Sequence, residues 1–312
     1  MGSVVSVLAA GVFIAAGVWL VWRYSQPAAF PAWVAAAFVA VYINVVSGAF
    51  VRVTNSGLGC PDWPACHGRA VPPMNWNSIA EFTNRVMAFL VVMTTIGLAV
   101  CAARGVRRAD RARWWMAFAV AAGTVAEAPL GAVTIVTGLN PYVVMTHFLL
   151  AIIVFSVATV LFIDVWGAPA AGASRPAWLP VAVAVFTLWS LLMITSGAVV
   201  TMAGTHPGAS NVPRIWNLLD AAYWHVRVAV SFVVVLAGFL FACSRLAVTG
   251  YRVPRLAWLV VVLTASQILI GEWQWRHQLP WWAVLAHVAT ATALWSAVIA
   301  LGRSLVPRPV TT

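Results

Sequence analysis

The sequence predicts an all-α integral membrane protein: two pseudo-symmetric four-helix bundles, arranged as parallel repeats, plus one extra N-terminal transmembrane helix. Three observations predict it. Hydrophobic residues make up 63% of the 312 positions and charged residues only 8%, against about 25% charged in an ordinary soluble domain. The chain divides into apolar runs close to the about 20 residues a helix needs to cross a bilayer. Short motifs of the first half also recur in the second.

The runs lie near 3–22, 30–52, 79–103, 113–137, 141–166, 177–203, 218–243, 254–274 and 279–302. Strands of a membrane barrel would alternate apolar and polar residues in short segments, and these runs do not alternate. Many of the 18 Trp sit near the run ends, as an interfacial aromatic belt requires. The first run, VVSVLAAGVFIAAGVWLVW, lacks a basic stretch ahead of it and is long for the core of a signal peptide. It is read as an uncleaved anchor, with a cleaved signal as the alternative.

All 18 basic residues are Arg, and the net charge is +11. Their placement speaks for membrane orientation rather than for nucleic-acid binding. Arg104, Arg107, Arg108, Arg111 and Arg113 share one loop, and Arg245, Arg252 and Arg255 share another. Arg175, Arg303 and Arg308 fall on the same side, which the positive-inside rule makes cytoplasmic. The C-terminus is then inside and, with nine spans, the N-terminus outside. The loops 53–78, 204–217 and 275–278 face outward.

The repeat is visible in three places. SGAFV at 47–51 recurs as SGAVV at 196–200. APLGAV at 128–133 matches ILIGEW at 268–273, with Gly131 over Gly271. VVMTHFLLA at 143–151 matches AVLAHVATA at 283–291, with His147 over His287. Four spans per half return the chain to the same side, so the halves are parallel repeats about an axis along the membrane normal. The expected organisation is an N-terminal helix and linker at 1–29, a first half at 30–168 and a second at 169–312.

Six His divide into two sets. His67, His206 and His277 fall in outer loops; His147, His225 and His287 fall inside spans, where ionisable residues are rare and default to function. His225 and His287 are 62 positions apart on the second and fourth helices of their half, and Asn84 and His147 are 63 apart in the other. Both pairs sit in the first third of helices running inward. Two imidazoles facing across a four-helix bundle make a haem site. Zinc wants three or four ligands, and no Cys or carboxylate repeats beside these His. The residues thus give one bis-His site and one related site with a single His.

The stretch VRVTNSGLGCPDWPAC at 51–66, with EFTNR at 81–85, LGAVTIVTGLNPYVVMTHFLLA at 130–151 and the second-half His pair, resembles the haem A synthases, the cytochrome oxidase assembly proteins of the CtaA/Cox15 type. The resemblance covers about residues 35–302, and its Gly-Cys-Pro-Asp-Trp-Pro loop is highly specific. It implies oxidation of the C8 methyl of haem O to a formyl group by two successive hydroxylations and loss of water. It implies haem b in the C-terminal half, ligated by His225 and His287, and substrate haem O in the N-terminal half with His147 as ligand. Glu81 matches the family's outer-leaflet glutamate, to which a catalytic role is given. The family usually has His where this chain has Asn84, the helix at 3–22 precedes the usual eight, and the 204–217 loop lacks a Cys pair that some members carry. The alternative is a b-type membrane cytochrome that only transfers electrons. A transporter is disfavoured because the spans carry few charges away from the two sites.

Other residues take roles beside these. Cys60 and Cys66 lie in an outer loop, where an oxidising exterior permits a disulfide, and five intervening residues make bridging easy. The pair is either a structural staple or redox-active. Cys101 and Cys243 read as packing or reduced thiols. Glu81 and Asn84 share a helix face, and Glu81 would handle protons beside a haem edge. Glu127, mid-span and aligned with Gln267, is expected to make an interhelical hydrogen bond. Arg52, Arg85, Arg214, Arg227 and Arg276 stand near outer span ends. Of these, Arg85 and Arg227 flank the ligand positions and are expected to pair with haem propionates; the rest could snorkel to lipid headgroups. The expected setting is a bacterial plasma membrane, with haem O and a haem O synthase as partners. A homo-oligomer is compatible with this reading, and no nucleic acid is expected.

Overall fold

The computed structural model describes residues 15–69, 71–167, 176–248 and 255–306. Among these the protein is helical, with one isolated bridge between Cys66 and Arg69. Eight helices are long and apolar enough to cross a bilayer, as expected of an integral membrane protein. They are α1 Phe30–Val53, α2 Trp76–Gly105, α3 Arg111–Val136, α4 Pro141–Trp166, α5 Leu179–Ala203, α6 Leu218–Val248, α7 Leu256–Arg276 and α8 Trp281–Leu305. Residues 15–24 are also helical, and Arg104 bonds to the Trp22 and Ser25 carbonyls that follow from them. The remainder of the expected 3–22 span lies outside the described residues, as do Arg175, Arg252 and Arg308.

Local chemistry sets the helix ends. The Asn75 side chain accepts the Ser78 amide at 2.9 Å, so α2 begins three residues before the apolar run. Asp110 accepts the Ala112 and Arg113 amides and opens α3. Asn140 and Asn217 cap the starts of α4 and α6 in the same way. Each oxygen satisfies amides that the first turn leaves without partners. These polar caps stand outside the hydrophobic stretches, which is why apolar runs alone underestimate the helices.

The chain forms two compact units of four spanning helices each. Unit 1 is Met1–Val165 with His206–Pro213, and unit 2 is Trp166–Thr205 with Arg214–Thr312. The His206–Pro213 segment, from the α5–α6 connection, thus belongs with the first half. Arg52 Nε donates to the His206 carbonyl and the Gly57 amide to the Gly208 carbonyl.

In unit 1, Phe38 of α1 stacks on Phe155 and Phe162 of α4, with centroids 5.3 and 4.6 Å apart. The buried cluster around them includes Val34, Leu98, Ala117 and Leu161. Thr95 and Thr124 hydrogen-bond across α2 and α3 at 2.6 Å, a way of packing helices where water is absent. In unit 2, Phe186 stacks on Phe232 and Phe239 within a cluster that includes Leu294 and Leu301. There α5 packs on α6 and α8, and α8 on α7. α6 and α8 therefore flank the unit interior without extensive backbone contact with each other.

Candidate functional site

In unit 2 the site is built from repeated small residues and the two span histidines. Ser196 of α5 donates its hydroxyl to the Met193 carbonyl at 2.8 Å and lies 2.8 Å from His225 Nδ1 on α6. A hydroxyl that donates to the Met193 carbonyl is left to accept from Nδ1–H, which corresponds to the His225 tautomer with its lone pair on Nε2. A Cβ on Gly197 would stand 3.2 Å from His225 Cε1, and one on Gly271 would stand 3.3 Å from His287 Cε1. Each ring thus lies against a glycine, where a larger side chain would crowd it. His287 Nδ1 is buried with no hydrogen-bond partner, while Gln267 donates to the His287 backbone carbonyl at 2.9 Å.

Unit 1 repeats this frame with different side chains. Ser47 Oγ donates to Asn84 Oδ1 at 2.9 Å, matching the Ser196 contact with His225. His147 lies against Gly131, whose Cβ would stand 3.7 Å from Cε1 and 3.8 Å from Nε2, matching His287 against Gly271. His147 Nδ1 lies 2.5 Å from Glu127 Oε2 of α3. Its alignment falls short of a hydrogen bond, and Glu127 Oε1 has no hydrogen-bond partner. The sequence marked the glycines and the serines through the repeat, without showing that they meet Asn84 or the histidines. It carried no sign that Glu127 meets His147.

The predicted pair Cys60 and Cys66 is joined in a disulfide. The loop it closes is tied to α2 by Glu81 and Arg85. Glu81 is buried; its Oε2 accepts the Cys60 amide at 2.7 Å and its Oε1 the Arg85 guanidinium at 2.5 Å. Arg85 also donates to the carbonyls of Asp62, Ala65 and Cys60. Arg85 thus anchors the loop, with both terminal nitrogens bonded to protein acceptors. Arg227 is exposed and lies two positions past His225, on a different face of α6. Arg214 bonds to the Gly204 carbonyl and Arg276 pairs with Glu272. The loop histidines are bonded locally: His67 Nε2 to the Gly59 carbonyl, and His277 Nδ1 to the Trp273 carbonyl. Among the described residues no group of three or more His, Cys, Asp or Glu converges as a metal cage.

Asp62 organises the tip of the disulfide loop, accepting the Gly68 and His67 amides at 2.7 and 2.6 Å. The Gly68 amide, followed by that of His67, holds its carboxyl below the usual carboxylate range. A lowered value in the folded loop means its contribution is present above the unfolded value and is lost as pH falls through the folded one. Hydrogen exchange of the Gly68 and His67 amides, corrected for intrinsic rates, is expected to show steady protection from neutral pH down to about 4. Protection should then fall with further acidification, and Asp62→Asn should show the acid behaviour already at neutral pH.

The eight apolar helices among the described residues and the repeated His-bearing frame mark a polytopic membrane protein with one candidate site in each four-helix unit. The family model described as cytochrome oxidase assembly protein, COX15-CtaA, matches residues 31–80 and 76–299, and the chain belongs to that family. A protein named heme A synthase from Bacillus pumilus is 33% identical over 127 residues, 40% of this chain and 41% of that protein. A heme A synthase from Symbiobacterium thermophilum is 26% identical over 270 residues, 81% of this chain and 88% of that protein. A protoheme IX farnesyltransferase from Thermus thermophilus is 27% identical over 290 residues, 84% of this chain but 46% of that protein. The matches thus span less than half of the Bacillus and Thermus relatives.

Proposed function

We propose that this chain is a haem A synthase, converting the C8 methyl of haem O to a formyl group within the membrane. The observation that carries the reading is the repeated frame. Unit 2 presents two imidazoles, His225 and His287, each against a glycine, and unit 1 presents His147 with Asn84 in the matching position. The donor set suits haem iron. The imidazoles lie on helices without extensive contact with each other, and with Nδ1 of His225 held by Ser196, Nε2 is the ring nitrogen left for iron. Haem b in unit 2 would be held by His225 and His287 and would supply one-electron redox chemistry when bound. Haem O, the substrate, would be held in unit 1 through His147. Family membership supports both assignments.

The chain's own residues then divide the work. His147 orients the substrate. Glu81 handles protons at the methyl being oxidised, with Arg85 and the disulfide loop holding its carboxylate in place. Arg227 is the exposed cation available to a propionate in unit 2. The disulfide serves as the staple of the loop that carries the Glu81 contact. The Arg-rich helix ends face the cytoplasm of a bacterium, so the disulfide loop faces the oxidising exterior. A farnesyltransferase acting on protohaem would supply the farnesylated substrate, and the match to the Thermus protein of that name supports such a neighbour.

The second reading is a b-type cytochrome that only transfers electrons, favoured by Asn84 standing where unit 2 has His225. Product analysis separates the two. Co-expression with a haem O synthase is expected to yield a formyl haem in membrane extracts. Its absence, with haem O present and the protein folded, would leave the cytochrome reading.

A further inference from the structure

We propose that Glu127 is a positioning residue for His147, which distinguishes the unit 1 ligand from its counterpart in unit 2. The proposal rests on the reading that unit 1 takes haem through His147. The two units are alike at this ligand: an α4 or α8 histidine lies against a glycine of the preceding helix, Gly131 or Gly271. They differ in what stands behind the ring. In unit 1 the Glu127 carboxylate group reaches Nδ1 at 2.5 Å. In unit 2 the aligned side chain, Gln267, bypasses the ring and donates to the His287 backbone carbonyl, leaving His287 Nδ1 without a partner.

A carboxylate behind a ligating imidazole fixes the tautomer with hydrogen on Nδ1, so Nε2 offers its lone pair. It also fixes the ring plane and strengthens the imidazole as a donor, an outer-shell lever on iron potential. Nδ1 and Oε2 stand at hydrogen-bond distance without hydrogen-bond alignment, and contacts of this kind tighten when substrate binds. Glu127 Oε1 is buried and has no hydrogen-bond partner, so no competing bond holds the side chain away from His147. With haem bound in unit 1, His147 would therefore be a stronger donor than His287. Better donation favours ferric iron and lowers the potential of the haem held there.

The test uses the full chain in detergent, titrated with haem b as the probe and followed by spectroelectrochemistry, with the unit 2 haem as internal reference. Gln stands naturally at the equivalent position 267, so Glu127→Gln is compatible with the fold. It is expected to weaken haem binding in unit 1 by about ten- to a hundredfold, as loss of an outer-shell partner does elsewhere. It should also raise the midpoint potential of that site while the unit 2 potential stays constant. A purely structural tie between α3 and α4 would not move one potential alone. His147→Ala is expected to remove the unit 1 haem altogether. Wild-type affinity and potential in Glu127→Gln, with the haem lost in His147→Ala, would overturn the role of Glu127 and leave the ligand reading standing. An equal shift at both sites would also overturn it. Haem retained in His147→Ala would overturn the ligand reading itself.

Discussion

Replacing either His225 or His287 by Ala is expected to abolish most of the low-spin haem b signal of the purified protein. Low-spin iron here requires two strong axial donors, and the proposed pair comes from different helices, α6 and α8, which do not pack closely on each other. No third imidazole lies in unit 2 outside the loop residue His277, and that ring is stacked on Trp273 and bonded to its carbonyl. Removing one ligand therefore leaves no nearby replacement. The iron would become five-coordinate and high-spin, or the haem would dissociate. The rings lie close against Gly197 and Gly271, and truncation to Ala removes that contact, opening space without forcing the helices apart. The reduced-minus-oxidised spectrum of each variant checks this, read against folded protein measured by elution volume. An unchanged low-spin spectrum in both variants would refute the assignment of the pair.

Much of this arrangement was readable before any coordinates. Long apolar runs announce spanning helices because the bilayer penalises every unsatisfied backbone group. The recurrence of Ser-Gly-Ala and of Gly with a later His announced two equivalent units. The disulfide followed from two close Cys in a loop predicted to face outward. What could not be read were contacts whose partners carry no side-chain signature. Arg85 is satisfied by the backbone carbonyls of Cys60, Asp62 and Ala65, and any residue supplies a carbonyl. Its commitment to the loop is therefore invisible in the sequence, where an Arg beside a ligand position suggests a propionate. Glu81 shows the limit in part: Arg85, four residues on, is a partner the spacing offers, but the Cys60 amide it also accepts is not. The meeting of Glu127 with His147 depends on how α3 and α4 face each other, and the mutual rotation of two helices is not encoded in either one's spacing. Likewise, apolar runs gave no sign that His206–Pro213 folds with unit 1, because its carbonyls accept the Gly57 amide and the Arg52 guanidinium, and any residue supplies a carbonyl.

Asn84→His is expected to convert the unit 1 site from high-spin to low-spin when haem is loaded. The structure supplies the reason. Oδ1 of Asn and Nδ1 of His stand the same number of bonds from Cβ. In unit 1 Ser47 holds Asn84 Oδ1 at 2.9 Å, and in unit 2 Ser196 holds His225 Nδ1 at 2.8 Å. A histidine at position 84 can therefore take its Nδ1 contact from Ser47, as His225 does from Ser196, and turn Nε2 toward the interior. Space is available too: a Cβ on Gly48 would meet nothing within 4 Å, whereas one on Gly197 would already be 3.2 Å from the His225 ring. In the parent, a neutral amide is a poor iron ligand beside imidazole, so on the proposed reading His147 would be the sole strong protein donor to haem held in unit 1. The variant supplies a second imidazole at the axial position that this reading leaves open. Electron paramagnetic resonance and optical spectra of the loaded full chain should show a high-spin ferric component in the parent and its replacement by a second low-spin component in Asn84→His. If formyl haem production depends on the open position, it should fall in the same variant while haem content holds or rises. A parent that is already fully low-spin with both units loaded would show that unit 1 has a second strong ligand, and the open-site reading would be abandoned.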